Sequence, residues 1–166
     1  MTFHITAMAL LGSLAALAAA SVGHAAEICT AIADATTGKV LMQRGDCQRQ
    51  VTPASTFKIP LSLMGYDAGF LKDLQAPELP FRQGYVDWRP SWRSATGPAK
   101  WMSESVVWYS QQITQSLGQA RFAAYTKRFE YGNQDVSGDA GHDGLTAAWL
   151  ESSLRISPLG QLSFLS

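Results

Sequence analysis

Four prolines, Pro77, Pro80, Pro90 and Pro98, fall between Lys72 and Lys100. Each fixes φ near about −65° and removes a backbone donor, so this stretch can hold neither a long helix nor a central strand. The chain is thereby split into a segment before it and a segment after it, joined by a long ordered loop. Phe81, Tyr85, Trp88, Trp92 and Trp101 give that loop large apolar surfaces. Aromatic loops line binding clefts in some proteins, but pinning a loop to the core is the commoner use and is expected here.

Ahead of the loop, Cys29 to Asp34 and Lys39 to Gln43 are short apolar-rich runs separated by Ala35-Thr36-Thr37-Gly38, a turn composition, and the pattern predicts a β-hairpin. A polar connection ending in Pro53 then delivers the chain to a helix from Ser55 to about Asp67, with Gly69 as its stop. Beyond the loop, Val106, Tyr109, Ile113 and Leu117 share one helical stripe, with Ser103 able to cap the start and Gly118 marking the end. A second helical stretch covers Gln119 to Phe129. Tyr131-Gly132-Asn133 breaks it, and taken alone reads as a helix C-cap with glycine in the left-handed region. A polar, Gly-rich loop from Gln134 to Gly144 leads into Leu145 to Leu154, where Trp149 lies on the apolar side. Ser157-Pro158 opens a last helix with a cap residue and Pro at its first position, and its apolar pattern of Leu159, Leu162 and Leu165 is still running at Ser166.

Residues 1–25 are of another kind. No Lys, Arg, Asp or Glu precedes Glu27, and the Ala/Leu-rich run from Ala7 to Val22 closes in Gly23-His24-Ala25, small residues where a signal peptidase would read. The expectation is a secretory signal over 1–25, one domain over 26–166, and a periplasmic or secreted protein with no stable membrane anchor after cleavage. An uncleaved anchor is the competing reading, disfavoured by the short run and its cleavage-like end. Export brings an oxidising compartment. A Cys29–Cys47 disulfide would close a loop of about 19 residues, worth about 3 kcal/mol in the chain-entropy model. Two free buried thiols are the alternative; the disulfide is preferred because both cysteines flank one hairpin. Thirteen basic and thirteen acidic residues cancel without forming runs, which disfavours nucleic acid and anionic membrane surfaces as partners.

The candidate chemistry lies in Pro-Ala-Ser-Thr-Phe-Lys-Ile-Pro, residues 53–60. A helix through this stretch puts the Ser55 hydroxyl and the Lys58 amine on one face, one turn apart. A serine needs a neighbour to take its proton, and a lysine can do so only when its own pKa is pulled down. Phe57, Ile59, Leu61 and Leu63 make the surroundings apolar, which disfavours the ammonium. A neutral amine in such a pocket can also add carbon dioxide and become a carbamate, an oxygen base. Pro60 cannot donate to the Thr56 carbonyl, so the helix is expected to bend or loosen just after the pair. A Ser-x-x-Lys spacing arises by chance about once in a chain of this size, so alone it reads as a solvated helix face. With His142 as the single histidine after the signal, neither a Ser-His-Asp triad nor a His-rich metal site can be built, and no metal is expected. No Gly-rich phosphate loop of standard spacing is present.

Three patterns in order, Ser55-x-x-Lys58, Ser105-Val106-Val107 and Tyr131-Gly132-Asn133, together with long flanks such as Trp101 to Gln115 and Gly144 to Ser157, resemble the class D β-lactamases, the oxacillin-hydrolysing branch of the serine β-lactamase and penicillin-binding superfamily. The resemblance implies an α+β fold of the serine β-lactamase and transpeptidase type, a helical subdomain beside an antiparallel sheet, and a β-lactam as small-molecule substrate. It implies that Ser55 forms the acyl-enzyme and that Lys58, carboxylated by carbon dioxide or bicarbonate, is the general base. Ser105 would relay a proton to the leaving lactam nitrogen. Val107, Tyr131, Gly132 and Asn133 would be supporting or substrate-binding positions, and the Trp149 indole N–H would steady the carbamate. The family's next motif, Lys-Thr-Gly or Lys-Ser-Gly on a late strand, follows none of Lys39, Lys58, Lys72, Lys100 or Lys127. A truncated gene product or partial sequence is therefore expected, with an incomplete sheet, an unpaired hairpin edge and an uncovered apolar face. Two rivals to a working hydrolase follow: a penicillin-binding sensor domain acylated without turnover, and an inactive fragment.

Overall fold

The computed structural model of the protein describes residues 28–166; the predicted signal segment, with its cleavage site, lies outside the described residues. Strands β1 (Cys29–Ala33) and β2 (Val40–Gly45) form the antiparallel hairpin, with Cys29 opposite Gly45 and an irregularity between Ile32 and Ala33. The turn is built by Asp34, whose Oδ1 accepts the backbone N–H groups of Thr36 and Thr37 at 3.0 and 2.8 Å. These bonds and the Thr37 hydroxyl favour the carboxylate and hold the Asp34 pKa below its ordinary value. Cys29 and Cys47 are joined by a disulfide, with Cα atoms 5.0 Å apart, so the hairpin is fastened at its open end.

The chain passes Val51, which exchanges two backbone hydrogen bonds with Ile156 at 3.1 and 2.9 Å, and enters a single 3-10 turn, Ala54–Phe57. Helix α1 (Lys58–Asp67) follows directly and ends before Gly69, at φ 74°. The bend expected after Lys58 is absent. Pro60 occupies the first turn of α1, where backbone donors have no intrahelical partner anyway, so its missing N–H costs nothing. The change of helical type comes before Lys58, in the turn that carries Ser55.

The proline-rich stretch is the predicted loop, pinned by the Leu79–Thr96 bridge and by aromatic packing. Tyr85 stacks on Trp108 with centroids 5.1 Å apart, and Trp92 and Trp101 are buried. Trp88 departs from the pattern at 65% exposure. Helix α2 (Pro98–Glu104), with Pro98 at its start, was not anticipated. Ser103 therefore lies in the last turn of α2 and caps nothing; the next helix, α3 (Val107–Arg128), is entered through Val106 in an extended conformation. Gly118, at φ 73° and ψ 160°, interrupts α3 where a helix end was expected, and the chain resumes helix at once.

A two-residue ladder, β3 (Gly138–Asp139) with β4 (His142–Asp143), lies within the polar loop and leads into α4 (Gly144–Glu151). Asp143 caps α4 by accepting the Thr146 N–H at 3.0 Å. Helix α5 (Pro158–Leu165) is capped by Ser157, whose hydroxyl accepts the Gly160 N–H at 3.0 Å. Phe57, Leu61, Trp108, Ile113, Phe122, Tyr131 and Ala148 are fully buried, so α1, α3, α4 and the turn before α1 share one core. Burial of aromatic and aliphatic surface at about 25 cal/mol per Å² is its main favourable term.

The fold is α+β, helices with small antiparallel sheets, and the sheet is partial: each described sheet has two strands. Ile28 and Leu41 are 70% and 63% exposed along the hairpin. A groove of about 510 Å³ runs between β1 and α5, lined by Thr30, Val51, Pro53, Thr56, Ile156 and Gln161. Among the described residues no helix is long and apolar enough to cross a membrane.

Candidate active site

Ser55 stands exposed on the 3-10 turn, immediately after Ala54, whose φ of 48° is left-handed. For a residue with a Cβ that conformation costs about 1–2 kcal/mol, so other contacts must hold the turn. Phe57 is one of them. It is fully buried, 5.7 Å from the Trp149 ring in a stacked arrangement and edge-on to Phe122 and Tyr131 at 5.9 and 5.4 Å. The turn thus points Phe57 into the core and leaves Ser55 outside.

Lys58 opens α1 and is 7% exposed. Burial disfavours the ammonium and pulls its pKa down to about 8. Its Nζ donates to Ser105 Oγ at 2.7 Å, and Ser105 Oγ lies 2.8 Å from Ser55 Oγ. The two residues one turn apart in sequence are therefore linked through a third, 50 residues from Ser55.

Ser105 owes its place to the junction of two helices. It ends α2 in the left-handed conformation, φ 59°, ψ 42°, with its N–H bonded to the Trp101 carbonyl. The Val106 N–H donates to the same carbonyl at 3.1 Å, and the Trp92 indole donates to the Glu104 carbonyl at 3.2 Å. Val106 and Val107 turn into the core, at 0% and 4% exposure. Two buried valines behind it and a left-handed residue between two helices leave the Ser105 hydroxyl facing Ser55 and Lys58. The geometry provides a continuous path, Ser55 to Ser105 to Lys58, along which a proton can move from a nucleophile to an amine near its free-base range.

The remaining positions fall in two groups. Trp149 on α4 is 3% exposed and backs the turn through Phe57. Tyr131 is fully buried, with burial raising its pKa to about 12, and its ring is 5.1 Å from Phe164, edge-on. Gly132 and Asn133 form a clamp on residues 153–155. Asn133 N–H donates to the Arg155 carbonyl at 2.8 Å, its Oδ1 accepts the Arg155 N–H at 2.9 Å, and its Nδ2 donates to the Ser153 carbonyl at 2.8 Å. At Gly132, φ 57°, an added Cβ would lie 2.0 Å from the Arg155 carbonyl oxygen. Val107, Gly132 and Asn133 make no hydrogen bond with the Ser55, Lys58 and Ser105 side chains among the described residues. Sequence reasoning passed over Thr56 and Gln161, whose side chains meet at 2.8 Å beside the reactive turn. Nothing local marks a glutamine so far along the chain as its neighbour. Among the described residues no group of three His, Cys, Asp or Glu is placed to hold a metal ion.

A serine on a tight turn at a helix start, a buried lysine one turn on and a second serine bridging them form one hydrogen-bonded cluster. The chain belongs to the penicillin-binding protein transpeptidase domain family, whose model matches residues 28–166. Its relatives within that family are class D β-lactamases. It is 54% identical over 142 residues to β-lactamase OXA-9 of Klebsiella pneumoniae, covering 82% of this chain and 51% of that protein. To β-lactamase OXA-1 of Escherichia coli it is 43% identical over 148 residues, covering 84% of this chain and 50% of that protein. Among solved structures it is similar to the OXA-427 class D β-lactamase, with a TM-score of 0.78 and 57% identity over 82% of this chain and 56% of that one. The chain spans about half the length of the curated relatives it matches.

Proposed function

We propose that the domain over residues 26–166 reacts with β-lactams through a covalent ester on Ser55, as part of a β-lactam-hydrolysing enzyme that confers resistance to these antibiotics. The observation that carries this reading is the Ser105 hydroxyl held 2.8 Å from Ser55 Oγ and 2.7 Å from a buried Lys58 Nζ. Ser55 Oγ attacks the lactam carbonyl carbon. The proton leaving Ser55 passes through Ser105 to Lys58, and as the ring C–N bond breaks a proton returns from Lys58 through Ser105 to the departing nitrogen. The Ser55 backbone N–H is one donor to the oxyanion, and Val107, Tyr131, Gly132 and Asn133 keep the surrounding frame. Water then cleaves the ester and frees Ser55 for another turn.

Lys58 takes the proton in the first half of the cycle. Its pKa of about 8 leaves a useful share of neutral amine near neutral pH, the form that can add carbon dioxide. When carboxylated, the side chain supplies an oxygen base for both proton transfers. The Trp149 indole offers only a donor, which suits a carbamate. The co-reactant is carbon dioxide from bicarbonate, and the scheme uses no metal. Residues 1–25 serve as an export signal in this reading, which places the protein in the periplasm or outside the cell, where the Cys29–Cys47 bridge persists.

Intact mass spectrometry on the mature chain, mixed with a penicillin in bicarbonate buffer and followed over time, tests the proposal. A penicillin-sized adduct on Ser55 that forms and decays is the expected result. An adduct that persists would favour a binding or sensing role over hydrolysis. No adduct from a cooperatively folded chain would overturn the reading.

A further inference from the structure

We propose that Gln161, on α5, is a positioning residue for the nucleophile: it fixes the Ser55 turn by hydrogen bonding to Thr56. This inference rests on the assignment of Ser55 as the acylated serine. The Ala54–Phe57 turn has no side-chain cap at its start and begins with a left-handed alanine. Three bonds in series hold it. The Tyr131 hydroxyl donates to Gln161 Oε1 at 3.3 Å, Gln161 Nε2 donates to Thr56 Oγ1 at 2.8 Å, and the Thr56 hydroxyl donates to the Pro53 carbonyl at 2.7 Å.

The direction of the series is fixed by its ends. The Pro53 carbonyl can only accept, so the Thr56 hydroxyl spends its proton there and needs a donor on its other side. Of the two Gln161 amide ends only the nitrogen can donate, and placed against Thr56 it turns the oxygen toward the Tyr131 phenol, which also approaches Thr56. Tyr131 is fully buried and packed edge-on against Phe57 and Phe164, so the series is anchored in the core. Alongside it, Val51 and Ile156 exchange backbone bonds just before the turn and just before α5. Gln161 therefore reports the position of α5 to the residue next to the nucleophile without touching the reacting atoms. Losing the donor leaves the turn free to relax away from the left-handed entry, which lengthens the 2.8 Å Ser55–Ser105 contact.

The test follows penicillin uptake by intact mass over a concentration series in the full chain and in Gln161→Met, Gln161→Glu, Thr56→Val and the Thr56→Val/Gln161→Met double variant. Thermal unfolding and amide hydrogen exchange are recorded beside it. Gln161→Met should lower the limiting acylation rate about fivefold, the factor for one hydrogen bond of ordinary net strength, with the half-saturating concentration changed less than about twofold. Gln161→Glu keeps an acceptor for Tyr131 but has no donor for Thr56, and should be equally slow. The double variant should be no slower than Thr56→Val. Multiplying effects, an unchanged limiting rate, or a loss confined to half-saturation would overturn the proposal. Should the unaltered chain take up no penicillin, the reading of Ser55 fails and the exchange data decide. Gln161→Met should then speed exchange at Thr56 and Phe57 and leave α3 unchanged; no change at the turn, or faster exchange throughout, overturns the positioning role.

Discussion

Ser105 reaches Ser55 across 50 residues of chain, at 2.8 Å between hydroxyl oxygens, from a backbone held at φ 59°. The contact depends on the conformation, because a right-handed residue there would carry α2 onward. Ser105→Ala and Ser105→Gly both remove the bridge and are expected to slow acylation of Ser55 by about 10²- to 10⁴-fold, the usual span for a lost proton-transfer group. Their stabilities should separate: alanine keeps the left-handed cost and glycine does not, so the glycine variant should be more stable by about 1 kcal/mol. Penicillin uptake by mass and urea midpoints measure the two effects apart, and wild-type acylation in either variant would remove Ser105 from the path.

The Lys58 pKa gives a pH profile with a definite sign. Burial lowers it to about 8, so the ammonium dominates below that value and the free base above it. In buffer stripped of carbon dioxide, Ser55 acylation should rise with pH through a midpoint near 8, and bicarbonate should raise the rate least well to the acid side of that midpoint, where the neutral amine that adds carbon dioxide is scarce. A stopped-flow pH series with and without bicarbonate checks this; a rate that falls as pH rises would mean that the ammonium is the working form.

Trp149 is tested by Trp149→Phe, which keeps an aromatic ring against Phe57 and removes the indole donor. If that N–H steadies a carbamate, the bicarbonate concentration for half-maximal acylation should rise by about 10- to 100-fold, in line with one hydrogen bond to a charged group. Repacking should cost about 1–2 kcal/mol in a urea titration. An unchanged bicarbonate requirement would leave Trp149 as a packing residue alone.

Gly132 is closed to any side chain. A Cβ there meets the Arg155 carbonyl oxygen at 2.0 Å in a left-handed backbone, so nothing flexible can give way. Gly132→Ala should destabilise the chain by about 3 kcal/mol or more, among the larger single-residue effects, as read from the urea midpoint. A loss below about 1 kcal/mol would show that the Asn133–Arg155 clamp can open without harm to the rest.

These sites differ in how far local sequence revealed them. The hairpin, the end of α1 at Asp67 and the start of α5 at Ser157-Pro158 were legible because turn composition, a glycine stop and a serine cap act within a few residues. The Ser55–Lys58 pairing followed from helical spacing, although the spacing did not show that Ser105 stands between them. The α2–α3 junction was not legible: α2 ends on bonds from Trp92 and Val106 to its last turn, and Ser103 looked like a cap only because α2 went unseen. Pro60 was misjudged by taking the helix to begin at Ser55; with the first α-helical residue at Lys58, the same proline falls where it does no damage. Asn133 and Gln161 act through partners 22 and 105 residues away, distances at which spacing carries no signal.

The paired bonds between Val51 and Ile156 also bear on the order of assembly. Ser55, Lys58, Ser105, Tyr131 and Trp149 all lie inside the span that this pairing closes, and closing a long span is an entropic cost met before the contacts inside it can reward it. During synthesis Ser55 emerges early, while Ile156 and the helix that brace its turn emerge far later. A growing chain therefore carries Ser55 well before it can aim it, and the geometry around that hydroxyl is set only after the far end of the span has been made.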